Sequence, residues 1–516
     1  MTDPCCAHDG LDGSRSHASA IGRRALLMAG AGVITTAAVA TPAAAGPRMR
    51  RHRFTGRFTG VGTPDWHYLP VRVPRGVREI EVSYTHSPID TGLGFSLNVV
   101  DLGVFDANGH TGTAAAAGFR GWSGGARKGF HISRRRATPG YLPGPIDPGV
   151  WHVVLGPVAI VPPGVAWTVT VALHFGRPMR RFQPQPPPRR VPRTGPGWYR
   201  GDCHTHTVHS DGQETQPALA RRALAAGLDF IGSTEHNTSS GSLTWGRHAP
   251  AGLLVLPGEE VTTRAGHWLA LGLPAGSWID WRHRPGQRGL AAATQRVRGL
   301  GGIAVAAHPF VPIPGTGWEF GHDYADMDAV EIWNGPWTAD DEVAVTAWHA
   351  MLVTGRFVPV MGNSDTHGPG TPIGTPQTVV HARTLSVPAV VAGLRRGRSW
   401  IAESSTVDLS FTARSGGRTV SCGQRLRATS GARVPVRLVV RGAPHCLVQV
   451  IGPLGPLAGA FTGAAGRAEV RVTVPAALVA FVRAEVRRLD GTPEVNPLAG
   501  VLGLAMVAMT NPIFLR

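Results

Sequence analysis

Residues Gly201–Gln213 read GDCHTHTVHSDGQ. The stretch sets His204 and His206 two residues apart and follows them with Asp211. In an extended segment, residues i and i+2 share a face with Cα atoms about 6–7 Å apart. Both imidazoles then reach one ion at the ~2.0–2.1 Å that zinc–nitrogen bonds adopt. Cys203 points the opposite way on this reading, which makes it a buried thiol and not a ligand. One His-x-His pair is expected by chance among 22 histidines in 516 residues. What surrounds the pair gives it weight.

Outward from this stretch, strands alternate with helices. PALARRALAAGL (217–228) reads as a helix with Thr215 as its cap and Gly227 at its end. Further helices are expected at GLAAATQRVRGLGG (289–302) and ADDEVAVTAWHAMLVTG (339–355). Strands are expected at DFIGSTEH, GLLVLPGEE, HWLALGL, IAVAAHPF, AVEIWNG and FVPVMGNSDTH. That alternation predicts a parallel β/α barrel whose strand ends line one mouth. Groups able to bind a metal recur at those ends. His236 closes DFIGSTEH, Glu260 closes GLLVLPGEE, His267 opens the next strand, His308 ends IAVAAHPF, and Asp365 and His367 finish FVPVMGNSDTH. Six imidazoles with three carboxylates suit zinc, manganese or iron and not copper(I) or calcium.

HTHTVHSDG, DFIGSTEHN, PGEEVTTRAGHWLALGL, AVAAHP and GNSDTHG, in that order, resemble the PHP (polymerase and histidinol phosphatase) metallohydrolases. The detail GEEVTT…GHWLALGL, the β-rich region before it and the ending AMTNPIFL look most like the CehA/McbA branch. The resemblance implies an α/β central domain built as a distorted (β/α)7 TIM-like barrel. It also implies two or three divalent transition metal ions (Zn, Mn or Fe) and a metal-bridged hydroxide that cleaves esters, commonly phosphoesters. By motif, His204, His206, Glu260 and Asp365 would hold one ion. Glu260 would bridge to a second, completed by His267 and His308, while Asp211, His236 and His367 would hold a third. No catalytic side chain beyond the hydroxide is then needed.

Each of these residues also has a plainer reading. Asp211 in SDG is a turn former as well as a ligand. Glu260 is chosen over Glu259 because the family pattern is Gly-x-Glu, leaving Glu259 as a supporting or exposed partner. His209 falls between matched positions and is placed at the rim. Arg264 is a candidate fork for a substrate phosphate or carboxylate, with a surface salt bridge as the alternative. Trp333 and Asn334 are candidates for the mouth, or for ordinary packing, and Glu331 shares their strand and supports the cluster.

The flanks are β-rich. Residues 46–176 are expected to form a β-sandwich, 177–197 (containing RPMRRFQPQPPPRRVPRTGPG) a Pro/Arg-rich linker, 198–404 the metallohydrolase domain and 405–516 a C-terminal β-rich domain. Residues 1–45 read as a twin-arginine-type signal peptide: Gly22-Arg23-Arg24 precedes ALLMAGAGVITTAAVA, and Ala43-Ala44-Ala45 supplies a small-residue cleavage site. The mature chain is therefore expected to be exported, with no transmembrane anchor, and the apolar run Leu498–Met509 to be a core strand. Cys5 and Cys6 leave with the leader, and Cys422 and Cys446 are candidates to pair.

A net charge of +18, nearly all from arginine (Lys128 is the single lysine), favours association with anions. No basic cluster interleaved with aromatics points to nucleic acid. The expected partner is a small anionic or ester substrate. The reading is an exported phosphomonoesterase or phosphodiesterase; the alternatives are a carboxylester or carbamate hydrolase using the same metal site, and a non-catalytic envelope-binding protein.

Overall fold

Alternating burial organises both ends of the chain, and continuous burial its middle. A computed structural model describes residues 49–60, 62–91, 96–112, 114–313, 315–489 and 504–515. The leader expected at 1–45, with Cys5, Cys6 and the paired arginines, lies outside the described residues.

The first part contributes β1 (Met49–Phe58), β2 (His67–Val73), β3 (Val77–His86), β4 (Ile89–Asp90), β5 (Ser96–Leu97) and β6 (Val99–Phe105). The short α1 (Ala114–Gly118) follows, then β7 (Phe119–Gly124), β8 (Gly129–Ser133), β9 (Gly149–Val158) and β10 (Val165–Phe175). They form two four-stranded sheets, β1–β10–β3–β8 and β2–β9–β6–β7, with β4 and β5 paired apart. In β3 every second side chain turns inward, so Ile80, Val82 and Tyr84 meet Leu69, Val71 and Leu155 of the opposite sheet.

The central part runs β11 (Gly197–Asp202), α2 (Gln216–Ala225), β12 (Phe230–Ser233), β13 (Leu254–Thr263), β14 (Gly266–Leu271), α3 (Gly289–Gly299), β15 (Ile303–Ala306), β16 (Ala329–Asn334), α4 (Ala339–Val353), β17 (Val360–Asn363), β18 (Gln377–Ala382), α5 (Val387–Arg395) and β19 (Ser399–Ala402). Strands β12, β13 and β15 are buried on both faces, as strands covered by helices must be. Helix α4 begins in a capping box: Thr338 and Asp341 satisfy each other's backbone amides.

The expected parallel barrel is corrected in two respects. Strands β11–β12, β12–β13, β15–β16 and β16–β17 pair in parallel, but β13–β14, β14–β15 and β11–β18 are antiparallel. Arg264 and Ala265 alone connect β13 to β14, far too short a span for a parallel crossover. Among the described residues no ladder closes the sheet into a barrel. Its two ends approach through an isolated bridge between Thr205 and Thr366 and a 2.8 Å hydrogen bond from Cys203 N to Asn363 Oδ1. The result is a curled mixed sheet.

The last part adds β20 (Asp408–Ser415), β21 (Arg418–Val420), β22 (Arg433–Arg441), β23 (Cys446–Gly452), β24 (Gly455–Phe461), β25 (Ala468–Pro475), β26 (Phe481–Arg488), β27 (Met506–Thr510) and β28 (Ile513–Phe514). The sheet β21–β20–β22–β25 packs its buried alternates (Phe411, Val436, Leu438) on Val448, Val482 and Ala508. The central sheet continues from β19 through β27, β26 and β23 to β24. Of the run expected as a terminal core strand, Met506–Met509 lies in β27, and residues 498–503 lie outside the described residues. Cys203, Cys422 and Cys446 are buried thiols, and the suggested Cys422–Cys446 pair is not formed. Among the described residues no helix is long and apolar enough to cross a membrane.

The first part joins the central part through aromatic packing. Phe119 stacks on Trp278 at 4.4 Å, and Trp66 and Trp122 both meet Trp281. This contact places β6 and β7 over the carboxyl ends of the central strands.

Candidate metal centre

All nine expected ligands converge. Their ligand atoms fall into groups whose members lie within 4.8 Å of one another: His204, His206, Glu260 and Asp365; Glu260, His267 and His308; and His206, Asp211, His236 and His367. Glu260 Oε2 lies 3.2 Å from His204 Nε2 and 3.3 Å from His206 Nε2, while its Oε1 lies 3.0 Å from His267 Nδ1 and 3.3 Å from His308 Nε2. Asp365 Oδ1 lies 3.1 Å and 3.0 Å from the same His204 and His206 nitrogens. Asp211 offers one oxygen to His236 Nε2 and the other to His367 Nε2, each at 3.4 Å.

These residues lie just past the strands that deliver them. Strand β11 stops at Asp202, so His204 and His206 follow it in extended chain and do not belong to a ladder. His236 lies beyond β12, bridged to Glu260. His308 and Asp365 follow β15 and β17 with φ of 30° and 51°, and Asn237 with 53°. Left-handed backbone is costly for side-chain-bearing residues, and its concentration at three strand ends marks a constrained site. Gly212 lets the ligand loop fold back: a Cβ there would lie 2.5 Å from the His206 carbonyl carbon and the Thr207 nitrogen. Asp211 therefore turns the chain and faces the cluster at once.

Second partners orient the imidazoles. His204 Nδ1 sits 3.3 Å from both oxygens of Glu331, which also accepts from His308 N, Asn334 Nδ2 and Asn363 Nδ2. His206 Nδ1 meets Ser210 Oγ at 3.4 Å, and that hydroxyl donates to Glu235 at 2.6 Å. His236 Nδ1 contacts Thr262 Oγ1 at 2.6 Å, and His367 Nδ1 the Asp365 carbonyl at 2.9 Å. With one nitrogen held, the other is aimed at the carboxylates.

The atoms left over test whether a metal fits. His204 Nε2, His206 Nε2, His236 Nε2, Asp211 Oδ1, Glu260 Oε2 and Asp365 Oδ1 are buried, and none has a hydrogen-bond partner. Lone pairs that approach to 3.0–3.4 Å without hydrogen-bond alignment are costly unless a cation lies among them. The donor set fits divalent metal binding. Electrostatics agrees. Burial opposes charge on Glu260 and on Asp365, yet the surrounding histidines hold both well below the usual carboxylate range. Burial opposes charge on His204 and His236 too, yet Asp365, Glu260 and Asp211 raise both, His236 to about 9. Burial, with His367 and His236 nearby, instead pushes His206 down to about 4. Without a cation the buried carboxylates draw protons onto their neighbours, and a bound metal would take the place of those protons.

Other expectations are revised. Glu331 supports the cluster as expected. Arg264 is not open to substrate: its guanidinium is buried, pairs with Asp101 at 3.0 Å and lies over Trp66 at 4.5 Å. Trp333 is core, with its indole N–H on the Gly335 carbonyl. Asn334 reaches the ligands and not the mouth, 3.5 Å from Asp365 Oδ2. Glu259 is neither exposed nor among the clustered candidate ligands. Strand alternation turns it to the other face, where burial pushes its pKa well up and Ile279 N donates to it. His209 is tied to Ser240 Oγ at 2.9 Å.

Three contributors were missed. Asp202 accepts from His204 N, Ser364 N and Gly374 N, and burial pushes it up to about 6. Glu235 anchors Ser210 and Thr207 and is pushed up to about 7, again by burial. Asn363 joins Cys203 to Glu331. The pattern Asp202, His204, His206 at alternate positions was a signal for the first of these; adjacency to His236 says little about the second.

The centre is roofed by the first part of the chain. A cavity of about 10 Å³ is lined by Asp211, His236 and Thr262 on one side and by Asp101, Trp122 and Ser123 on the other. Arg127, following β7, donates to the Val208 carbonyl and so clamps the ligand loop.

No family model matches the chain, and no curated protein is significantly similar to it. Among solved structures, the chain is similar to a two-domain protein from Bacteroides vulgatus containing a predicted PHP-like metal-dependent phosphoesterase. Identity is 17%, covering 64% of this chain and 100% of that one, with a TM-score of 0.34. It is also similar to an amidohydrolase from Chromobacterium violaceum, at 20% identity over 34% of this chain and 89% of that one, with a TM-score of 0.26.

Proposed function

We propose that this chain is an exported metal-dependent hydrolase of the PHP type that cleaves phosphomonoesters or phosphodiesters. The observation that carries the reading is the set of buried, unsatisfied lone pairs on His204, His206, His236, Asp211, Glu260 and Asp365, converging where hydrogen bonds are not formed. Divalent ions held by these residues with His267, His308 and His367 would make a water acidic near neutral pH and polarise the substrate oxygen.

The chain's own residues prepare that chemistry. Glu331, Ser210 and the Asp365 carbonyl hold His204, His206 and His367 by Nδ1, leaving Nε2 to bind. Glu260 faces both groups of histidines, one oxygen to each, and would serve both when ions are held there. Trp122 and its neighbours exclude bulk water from the Asp211 side. Export rests on the paired arginines and apolar stretch before Ala43-Ala44-Ala45.

A carboxylester or carbamate hydrolase is the second reading. Arg264, the cation nearest the ligands in sequence, is neutralised by Asp101, which favours an uncharged substrate group on that side.

The test is elemental analysis of protein purified without chelator, followed by assays on a phosphomonoester, a phosphodiester and an aryl ester. More than one equivalent of transition metal and phosphoester turnover abolished by chelator are expected. A metal-free protein without hydrolytic activity sinks both readings; turnover of the aryl ester alone selects the second.

A further inference from the structure

A second feature lies outside the metal centre. A cavity of about 530 Å³ opens where three segments meet: the turn after β8, the Pro/Arg-rich segment and the turns at Ser240–Arg247. Arg135, Arg136, Arg180, Arg181 and Arg247 line it, and none of the lining residues is acidic. Its volume falls within the roughly 300–1,000 Å³ of ligand pockets.

The arginines are not free to drift apart. The segment that the sequence marks as a linker is strapped down at both ends of the cavity. Phe182 N donates to the Arg134 carbonyl at 2.9 Å, and Gln185 exchanges backbone bonds with Leu243 and Gly246 at 2.8 Å each. The floor is equally fixed: Ser240 Oγ accepts from Gly140 N at 3.1 Å and meets His209 Nδ1 at 2.9 Å. Among these cations, Arg136 approaches Glu79 at 3.8 Å with its side chain 66% exposed, which leaves its charge largely uncompensated. Like charges held together in this way repel unless an anion joins them.

We propose that this cavity is an anion-binding site for a ligand bearing two or more phosphate groups. Guanidinium forks match phosphate oxygens two at a time, and several forks around one space select multiply charged ligands over single anions. His209, on the cavity wall, is two residues from Asp211, a span of at most about 7 Å of chain. On the hydrolase reading, on which this link alone rests, the site holds a phosphate of the substrate beyond the one at the centre. Two sources share this chemistry, a small bisphosphate and a phosphodiester polymer.

Isothermal titration of the full chain with fructose 1,6-bisphosphate, and separately with a glycerol-phosphate oligomer, tests the proposal. Saturable binding that weakens with salt is expected for at least one probe, and which one binds identifies the source. The exposed triple variant R135Q/R180Q/R181Q should weaken binding about tenfold or more, and Gln183→Glu, which adds a negative charge to the lining, should weaken it without removing an arginine. Arg437→Gln, at an exposed arginine of β22 outside the cavity lining, should leave binding in place. No binding to the wild-type chain, wild-type binding by both lining variants, or binding lost in Arg437→Gln overturns the proposal. Binding that persists in a protein without hydrolytic activity leaves this site standing while the hydrolase reading falls.

Discussion

Arg264 and Asp101 meet at 3.0 Å across the junction between the first and central parts of the chain, both nearly sealed from water. One stands at the β13–β14 turn, the other on β6. A pair this buried gains little over well-packed apolar residues, but removing one partner strands a charge. Arg264→Ala is expected to destabilise the protein by about 3–5 kcal/mol, measured by urea unfolding, and R264M/D101L by much less. Because the arginine acts on the junction, activity on phosphoesters and aryl esters should fall together. A selective loss of phosphoester turnover would show that Arg264 contacts substrate after all.

Asp365 faces His204 and His206 with the same oxygen. Asp365→Asn keeps the shape and removes the charge, so metal content should drop and hydrolysis should vanish while far-UV circular dichroism is retained. His206→Ala should behave alike. Unchanged metal content in both variants would place the ions elsewhere.

Ser210 and Glu331 lie outside the nine candidate ligands, although Glu331 also comes within reach of His204 and His308, and both hold imidazoles that belong to that set. Partners of this kind are worth about 10–100-fold in metal affinity or activity. Ser210→Ala and Glu331→Gln are therefore expected to lower affinity by that factor, read by competition with a chromogenic chelator. Wild-type affinity in both would reduce the two contacts to packing.

Burial pushes the Cys422 thiol up to about 12 from an ordinary 9.0. The folded state therefore keeps a proton that the unfolded chain releases, and the stabilising contribution is complete below pH 9 and lost as pH rises through the folded value. A C5S/C6S chain at pH 8 should resist a thiol reagent until urea unfolds it. Prompt labelling in the native state would contradict the buried placement of Cys203, Cys422 and Cys446.

The candidate ligands were legible as a cluster because each is a metal-binding residue type closing or opening an expected strand, and carboxylates and imidazoles are seldom buried side by side unless a cation joins them. Strand direction was less so. The expected strands stop at Glu260 and resume at His267, with six residues between them, whereas β13 runs on to Thr263 and leaves only Arg264 and Ala265 to turn the chain into an antiparallel pair. Arg264 stayed open between a substrate fork and an ion pair because its partner lies 163 residues away, beyond the reach of local pattern. Trp333 was ambiguous for the reason all tryptophans are: the same side chain suits a cleft wall and a core. The arginines after residue 177 read as a tether, since a proline-rich stretch has no periodicity to betray that it is strapped to two neighbours.

Asn511 fixes β17 from a distance: its side chain accepts from Val360 N at 2.9 Å and donates to the Val360 carbonyl at 3.0 Å, 151 residues earlier. Strand β17 leads directly into Asp365 and His367. During synthesis the ligand-bearing segment thus emerges well before the residue that braces it, and contacts so remote in sequence form late. A nascent chain that has not yet reached residue 511 would carry an unbraced β17, and with it an unfinished candidate cage.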